Sequence, residues 1–193
     1  MPTQSCRSLL NLPSRYKVIP VVENRVQFVQ VLESSASRPI LLRHCNLFDF
    51  VTSLENAHRR GYAVYVNMDH ADGINADSAG LHYIAERLHI TGIISNHPKT
   101  LSIAKNFGLE TIQRIFAVDS TGLETALESV DTEYVDLLDL SPALVIPYIT
   151  PDLKKSLPLP FMGSGLVSTS EQAQAVLRAG AVAVTAIRPE LWL

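Results

Sequence analysis

The sequence predicts an α/β protein, a TIM-barrel-like (β/α)8 barrel of parallel strands that lacks its last helix. Eight short apolar runs recur at intervals of roughly 20 to 30 residues, the spacing of βα units. Most are apolar on both faces, as parallel strands buried between a core and a helix layer must be. Each run except the last leads into a helical pattern with its own start or stop residues. An open doubly wound sheet is the alternative arrangement of the same elements.

In order, the strands are expected at Tyr16–Val22, from Pro39 through His44, at Tyr62–Asp69, Thr91–Ser95, Thr111–Val118, Glu133–Asp139, Leu157–Gly163 and Ala181–Ala186. A short helix is expected around Ser5 to Asn11, ended by Pro13. The first helix of the repeat runs from Asn24 to about Glu33. Asn46 and Asp49 open the second, which Gly61 closes. The third spans about Asp77 to Arg87 and puts Leu81, Ile84, Ala85 and Leu88 on one face. Pro98 suits the first turn of the fourth, which Gly108 ends. Thr121 with Glu124 reads as a capping box for the fifth, and Ser168 with Glu171 as another for the helix that Gly180 ends. Between them, Ser141 and Pro142 start a helix that Pro147 and Pro151 kink or break. We read one domain over residues 1–193, with 1–16 as an N-terminal extension that covers the gap of the missing helix, or leaves it to a second subunit.

Apolar residues make up 47% of the chain and charged residues 18%, which suits a compact domain and excludes a disordered one. A net charge of -3 means that any nucleic-acid contact needs a local basic patch. Two cysteines, Cys6 and Cys45, imply neither a disulfide framework nor a structural zinc site, so a reducing cytoplasm is expected. The N-terminal residues carry no signal-peptide pattern, and no apolar run reaches the length of a membrane span.

In a barrel of this kind the site lies at the C-terminal ends of the strands. Small residues in Gly163, Ser164 and Gly165 follow the seventh strand, where barrels commonly cradle a phosphate on backbone amides. A tight turn before a helix reads equally well. Asp69 stands ready to accept a ligand hydroxyl or to pair with Arg114 or Arg43. Ser95 and Asn96 are ligand donors or, preferably, a cap for the Pro98 helix. Arg114, inside an apolar strand, needs a carboxylate or an anionic ligand, and Asp136 is its natural partner. His44, His70 and His97 follow adjacent strands, but their spacing matches no metal motif. No lysine is placed at the mouth for Schiff-base chemistry.

The runs TIQRIFAVDSTGLET, NMDHADGI, TGIISN, PFMGSGLVSTSEQ and AGAVAVTAIRPELW together resemble the glycerol-3-phosphate-responsive antiterminator family, in collinear order from Val18 to Trp192. The resemblance implies a barrel that is not an enzyme and needs no cofactor. It implies glycerol 3-phosphate as the effector and the leader of a glycerol-operon mRNA as the partner. By motif, Asp69 and Gly73 match the family's loop after strand three, and Ser95 its fourth-strand end. Gln113, Arg114, Asp119, Ser120 and Glu124 match its central signature, and Gly165 the second glycine of its phosphate loop. Ser164 stands in place of the first glycine. Thr185, Ala186 and Ile187 replace a run of hydroxyl residues, a change of roughly 1 to 3 kcal/mol in phosphate binding if both lost hydroxyls were ligands. Arg188 is the expected replacement. Asp139 and Leu140 stand where a Pro-Gly turn is usual.

The expected site is therefore Asp69, Ser95, Arg114, Gly163, Ser164, Gly165, Thr185 and Arg188. The expected partners are a small phosphorylated ligand and RNA, with no membrane and with a homodimer as one way of presenting basic residues. A phosphate-handling barrel enzyme (isomerase, aldolase or lyase) and a member of the fold that has lost its ligand are the alternatives.

Overall fold

The computed structural model describes residues 8–11, 17–34, 39–153 and 157–192, with side chains omitted for 150–153. Eight parallel strands close into a barrel. They are β1 Val18–Val22, β2 Pro39–Leu42, β3 Ala63–Asn67, β4 Gly92–Ser95, β5 Glu110–Phe116, β6 Leu137–Ser141, β7 Phe161–Gly163 and β8 Val184–Ala186. Each pairs with its neighbours in sequence, and β8 closes on β1 through Val18↔Val184. The helices α1 Arg25–Ser34, α2 Val51–Arg59, α3 Ser78–Glu86, α4 Pro98–Lys105, α5 Ser120–Glu128, α6 Ile146–Leu153 and α7 Ser170–Arg178 follow the first seven strands. The closed barrel replaces the open-sheet alternative. After β8 the described chain forms only a 3-10 turn, Pro189–Leu191. Trp192 follows it into the outer core, where its indole N–H donates to the Ala186 carbonyl at 2.8 Å.

Several boundaries differ from expectation for local reasons. β6 starts at Leu137 rather than Glu133, because Asp131 organises a turn instead. Its carboxylate accepts from Glu133 N at 2.9 Å, and its carbonyl accepts from Tyr134 and Val135. β7 starts at Phe161, past Pro158 and Pro160, which have no N–H for a ladder. β3 stops at Asn67, whose side chain accepts from Asp69 N and turns Met68–His70 into a 3-10 turn. Asn46 caps a 3-10 turn, Leu47–Phe50, that leads into α2. One element went unforeseen: Cys45–Asn46 pairs with Ala71–Asp72 in a two-stranded parallel sheet outside the barrel. Gly73 at φ 89° closes it, in a spot where an added Cβ would lie 2.6 Å from Asn46 Oδ1.

The capping residues also shift by one or two positions. Asp119, in extended backbone, accepts from Gly122 N at 2.7 Å and caps α5 in place of Thr121. Thr169 and Gln172 form the capping box of α7 in place of Ser168 and Glu171. Of the expected N-terminal helix, Leu9–Asn11 is a 3-10 turn, and residues 5–7 lie outside the described ones. Leu9 is buried inside the barrel with Ile19, Tyr65, Ile112, Leu137 and Met162, while Phe28, Phe50, Leu54 and Leu81 pack in the separate layer between strands and helices.

Candidate ligand site at the barrel mouth

Side chains alternate between the two faces of a strand, and neighbouring strands of a closed barrel are staggered, so alternate strands stack their inward residues in layers. Following the register puts Val21, Asn67, Arg114 and Ser164 of β1, β3, β5 and the end of β7 in one layer. Leu41, Ile94, Asp139 and Thr185 of β2, β4, β6 and β8 lie directly beneath. Below these, the interior is the apolar cluster around Tyr65. The two layers nearest the C-terminal rim thus bring together five buried polar side chains: Asn67, Arg114, Asp139, Ser164 and Thr185.

Arg114 is held from beneath. Its Nε and Nη2 both donate to Asp139 Oδ2, at 2.8 and 2.7 Å, with the two side chains 8% and 0% exposed. Asp139 is therefore the partner, and Asp136 is not. Arg114 and Asp139 are register partners on the same face of adjacent strands, whereas Asp136 faces the helix layer. There it accepts from Lys105 of α4 and from the Thr111 amide and hydroxyl. Asp139 and Leu140 accordingly lie within β6, and the chain turns one residue later, at the cis Ser141–Pro142 bond. Two polar atoms of the layers have no hydrogen-bond partner among the described residues: Asp139 Oδ1 and Asn67 Nδ2, both on side chains with no exposed surface.

Asp136 also carries a pH signature. Burial pushes its carboxyl up, but the hydrogen bonds from Lys105 and Thr111 outweigh this and hold it below the usual carboxylate range. A carboxyl depressed in the folded state contributes stability above its unfolded pKa and loses it as pH falls. The stability difference between the wild type and Asp136→Asn is expected to be full at neutral pH. It should shrink as acid is added below about pH 4, as read from urea unfolding at a series of pH values.

At the rim, Asp69 pairs with neither arginine. It accepts from Ser95 Oγ at 2.5 Å and from Asn96 N at 2.8 Å, tying the end of β3 to the end of β4. Ser95 Oγ in turn accepts from His97 N at 3.0 Å, but neither Ser95 nor Asn96 is the expected cap: the N-cap of α4 is His97, and its side chain makes no bond to the first turn. Arg43 instead pairs with Glu23 at 2.7 Å. His44 and His70 lie with ring centroids 4.4 Å apart and the rings tilted by 32°. Burial, then His44, then Arg114 keep His70 below its ordinary pKa, against the pull of Asp69. His97 precedes α4. Among the described residues no group of three His, Cys, Asp or Glu side chains is placed to hold a metal. Burial, followed by Asp72, Asp49 and Glu23, pushes the Cys45 thiol up to about 11, which leaves it a poor nucleophile.

The remaining expected site residues divide by face. Ser164 and Thr185 are turned inward, 4% and 5% exposed. Gly165, at φ 85°, makes the turn above them next to Ser141 Oγ. Gly163 is turned the other way: a Cβ there would lie 2.8 Å from Val176 Cγ1 and 2.9 Å from Ile146 Cδ1. Gly163→Ala is expected to destabilise by about 1 to 3 kcal/mol through overpacking against α6 and α7. Chemical denaturation checks this, and a neutral result would point away from packing. Arg188 is exposed and faces Glu190 at 3.4 Å. Asn67 was missing from the sequence reading, and Asp139 entered it as a residue standing where a turn is usual rather than as the partner of Arg114. The available signal was the strand period, which places Asn67 and Asp139 on the inward face with Arg114.

The fold recurs in known proteins. The sequence profile of the family described as "Glycerol-3-phosphate responsive antiterminator" matches residues 18–192. The crystal structure of the glycerol uptake operon antiterminator regulatory protein from Listeria monocytogenes str. 4b F2365 is 25% identical, with a TM-score of 0.83 over 94% of this chain and 97% of that one. A glycerol uptake operon antiterminator-related protein from Thermotoga maritima MSB8, 24% identical with a TM-score of 0.78 over 91% of this chain and 97% of that one, shares the fold. The Escherichia coli (strain K12) protein YgcP is 23% identical over 174 residues, 89% of this chain and 83% of that one. With the family profile spanning nearly all of the barrel, the chain belongs to the glycerol-3-phosphate responsive antiterminator family.

Proposed function

We propose that this protein is a ligand-responsive regulator that takes a small polyol phosphate, glycerol 3-phosphate in the first instance, into the barrel mouth and acts on the leader of a glycerol-operon mRNA in the cytoplasm. The observation that carries the ligand half is the pair of polar layers closing an otherwise apolar barrel. Arg114, anchored by Asp139, is pre-oriented for an anion. Ser164 and Thr185 offer hydroxyls on the strands whose following loops commonly cradle phosphate, and Asn67 Nδ2 is a buried donor for a ligand oxygen. Neither layer contains a lysine or cysteine, which supports binding rather than covalent catalysis.

The mechanism is a population shift. The ligand favours one arrangement of the rim, where Asp69, Ser95 and the small sheet Cys45–Asn46 with Ala71–Asp72 meet, and that arrangement, alone or in a homodimer, binds RNA. No helix among the described residues is long and apolar enough to cross a membrane. At a hundred times its dissociation constant, glycerol 3-phosphate is expected to add about 2.7 kcal/mol of stability, read as a rise in Tm. Thr185→Val, which keeps the shape and removes the hydroxyl, should reduce that rise. No shift with glycerol 3-phosphate, or the same shift with glycerol alone, would remove the phosphate from the reading.

A further inference from the structure

Among the described residues, each arginine at or just past a strand end faces a carboxylate: Arg114 meets Asp139, Arg43 meets Glu23 and Arg188 meets Glu190. Asp69 adds a further carboxylate to the rim, and its hydrogen bonds come from neutral donors, Ser95 Oγ and Asn96 N. These groups together carry one negative charge in excess. A phosphate dianion entering there meets an anchored guanidinium but an unfavourable total, and it needs a further positive charge nearby.

Histidine is the side chain that gains charge near neutral pH, and the small sheet outside the barrel sets two of them together. Cys45 pairs with Ala71 and Asn46 with Asp72, so His44 and His70, one residue earlier on each side, enter that sheet abreast. Their ring centroids are 4.4 Å apart and both residues are exposed. His44 takes a left-handed φ of 49° as the chain leaves β2 in this direction, a conformation uncommon outside glycine. Two imidazoles this close carry one charge more readily than two.

His70 also feels the charge held in the mouth. Burial first, then His44 and Arg114, and last Arg43 disfavour its proton, while Asp69 favours it. An anion bound at Arg114 reverses the sign of that arginine's influence, because two negative charges then accompany its one positive charge.

We infer that His70 completes the anion site of the mouth: it is neutral while the mouth is empty and takes up a proton from solvent when a phosphate dianion binds at Arg114. The inference rests on the reading of the mouth as a phosphate site and adds its regulation. Binding is linked to pH, and by reciprocity acid tightens it. Affinity rises as pH falls from about 8 toward about 6, where the phosphate itself begins to lose its second charge.

The test titrates the full chain with glycerol 3-phosphate by isothermal calorimetry at about pH 7.5, in two buffers of different ionisation enthalpy, which reads the protons taken up on binding. The same titrations at about pH 8 and about pH 6.5 read the affinity. His70→Gln keeps a neutral polar side chain and removes the titration. In the wild type we expect uptake of up to about one proton, and a gain in affinity from the higher to the lower pH about five- to tenfold larger than in His70→Gln. The ligand's own titration is common to both proteins and cancels in this comparison. Should the variant fail to fold, NMR of the wild-type His70 ring C–H gives a second reading, in which glycerol 3-phosphate raises the titration midpoint. Equal proton uptake and equal pH dependence in the wild type and the folded variant, or an unmoved His70 midpoint, overturn the inference and leave the phosphate reading in place. Absence of both binding heat and a Tm rise at every pH overturns the phosphate reading itself, and the inference with it.

Discussion

Arg114→Ala is expected to lower the stability of the folded protein by about 3 to 5 kcal/mol, as urea unfolding followed by circular dichroism would show. Among the described residues the guanidinium is the only hydrogen-bonding partner found for the Asp139 side chain, which has no exposed surface and whose Oδ1 is already unmet. Removing the arginine leaves a carboxylate in the barrel interior with nothing to balance it, and the desolvation cost of that charge dominates the loss. A double replacement separates this cause from lost packing. Arg114→Met with Asp139→Leu removes both charges at similar bulk, so it should recover most of the stability while abolishing any response to glycerol 3-phosphate. A loss below about 1 kcal/mol in the single variant would show that the pair is open to water and behaves as a surface pair.

Tyr65→Ala should cost a similar amount, about 3 to 5 kcal/mol, for a different reason. Tyr65 is among the largest fully buried side chains and fills the lower interior of the barrel. Its ring passes so close to Gly92 that a Cβ there would sit 2.8 Å from Cε1, so this strand pair is built around the ring. The hydroxyl donates to Glu110 Oε2 at 2.6 Å and accepts from Leu9 N at 2.8 Å, which binds the N-terminal turn to the base of the barrel. Truncation therefore leaves a cavity and frees the turn together. Tyr65→Phe keeps the ring and removes only the hydroxyl, so it should cost about 1 to 3 kcal/mol. Hydrogen exchange of the Leu9 amide should then rise while the barrel amides stay protected. If Tyr65→Phe were as damaging as Tyr65→Ala, the ring would not be the main contributor.

Neither effect could be read from local patterns. The strand TIQRIF was legible as a strand, and its arginine as a residue needing a partner, because composition and the cost of a buried charge are properties of the segment itself. Which carboxylate answers it depends on the register between β5 and β6. Asp136 and Asp139 are both within a few residues of the right place, and a one-residue change in register exchanges their faces. The same ambiguity left Asp69 open between a ligand hydroxyl and an arginine, whereas the loop after β3 folds it back onto Ser95 and Asn96. Caps shifted by one or two positions, from Thr121 to Asp119 and from Ser168 to Thr169, because Ser, Thr and Asp clusters offer several equivalent oxygens. The conformation of the incoming chain then selects among them.

From the sequence alone came the number and order of the βα units, the family, and the need to neutralise Arg114. The family rests on a resemblance of motifs; the others rest on hydrophobic period, turn residues and the price of burying charge, all of which act over short stretches of chain. The tertiary structure alone decided that Asp139 holds Arg114, that Asn67 joins them beneath the rim, and that Gly163 is a packing glycine. It also turned Gln113 away from the mouth, toward the helix layer. Those outcomes depend on closing the barrel, because closure sets the stagger between strands and with it which side chains share a layer.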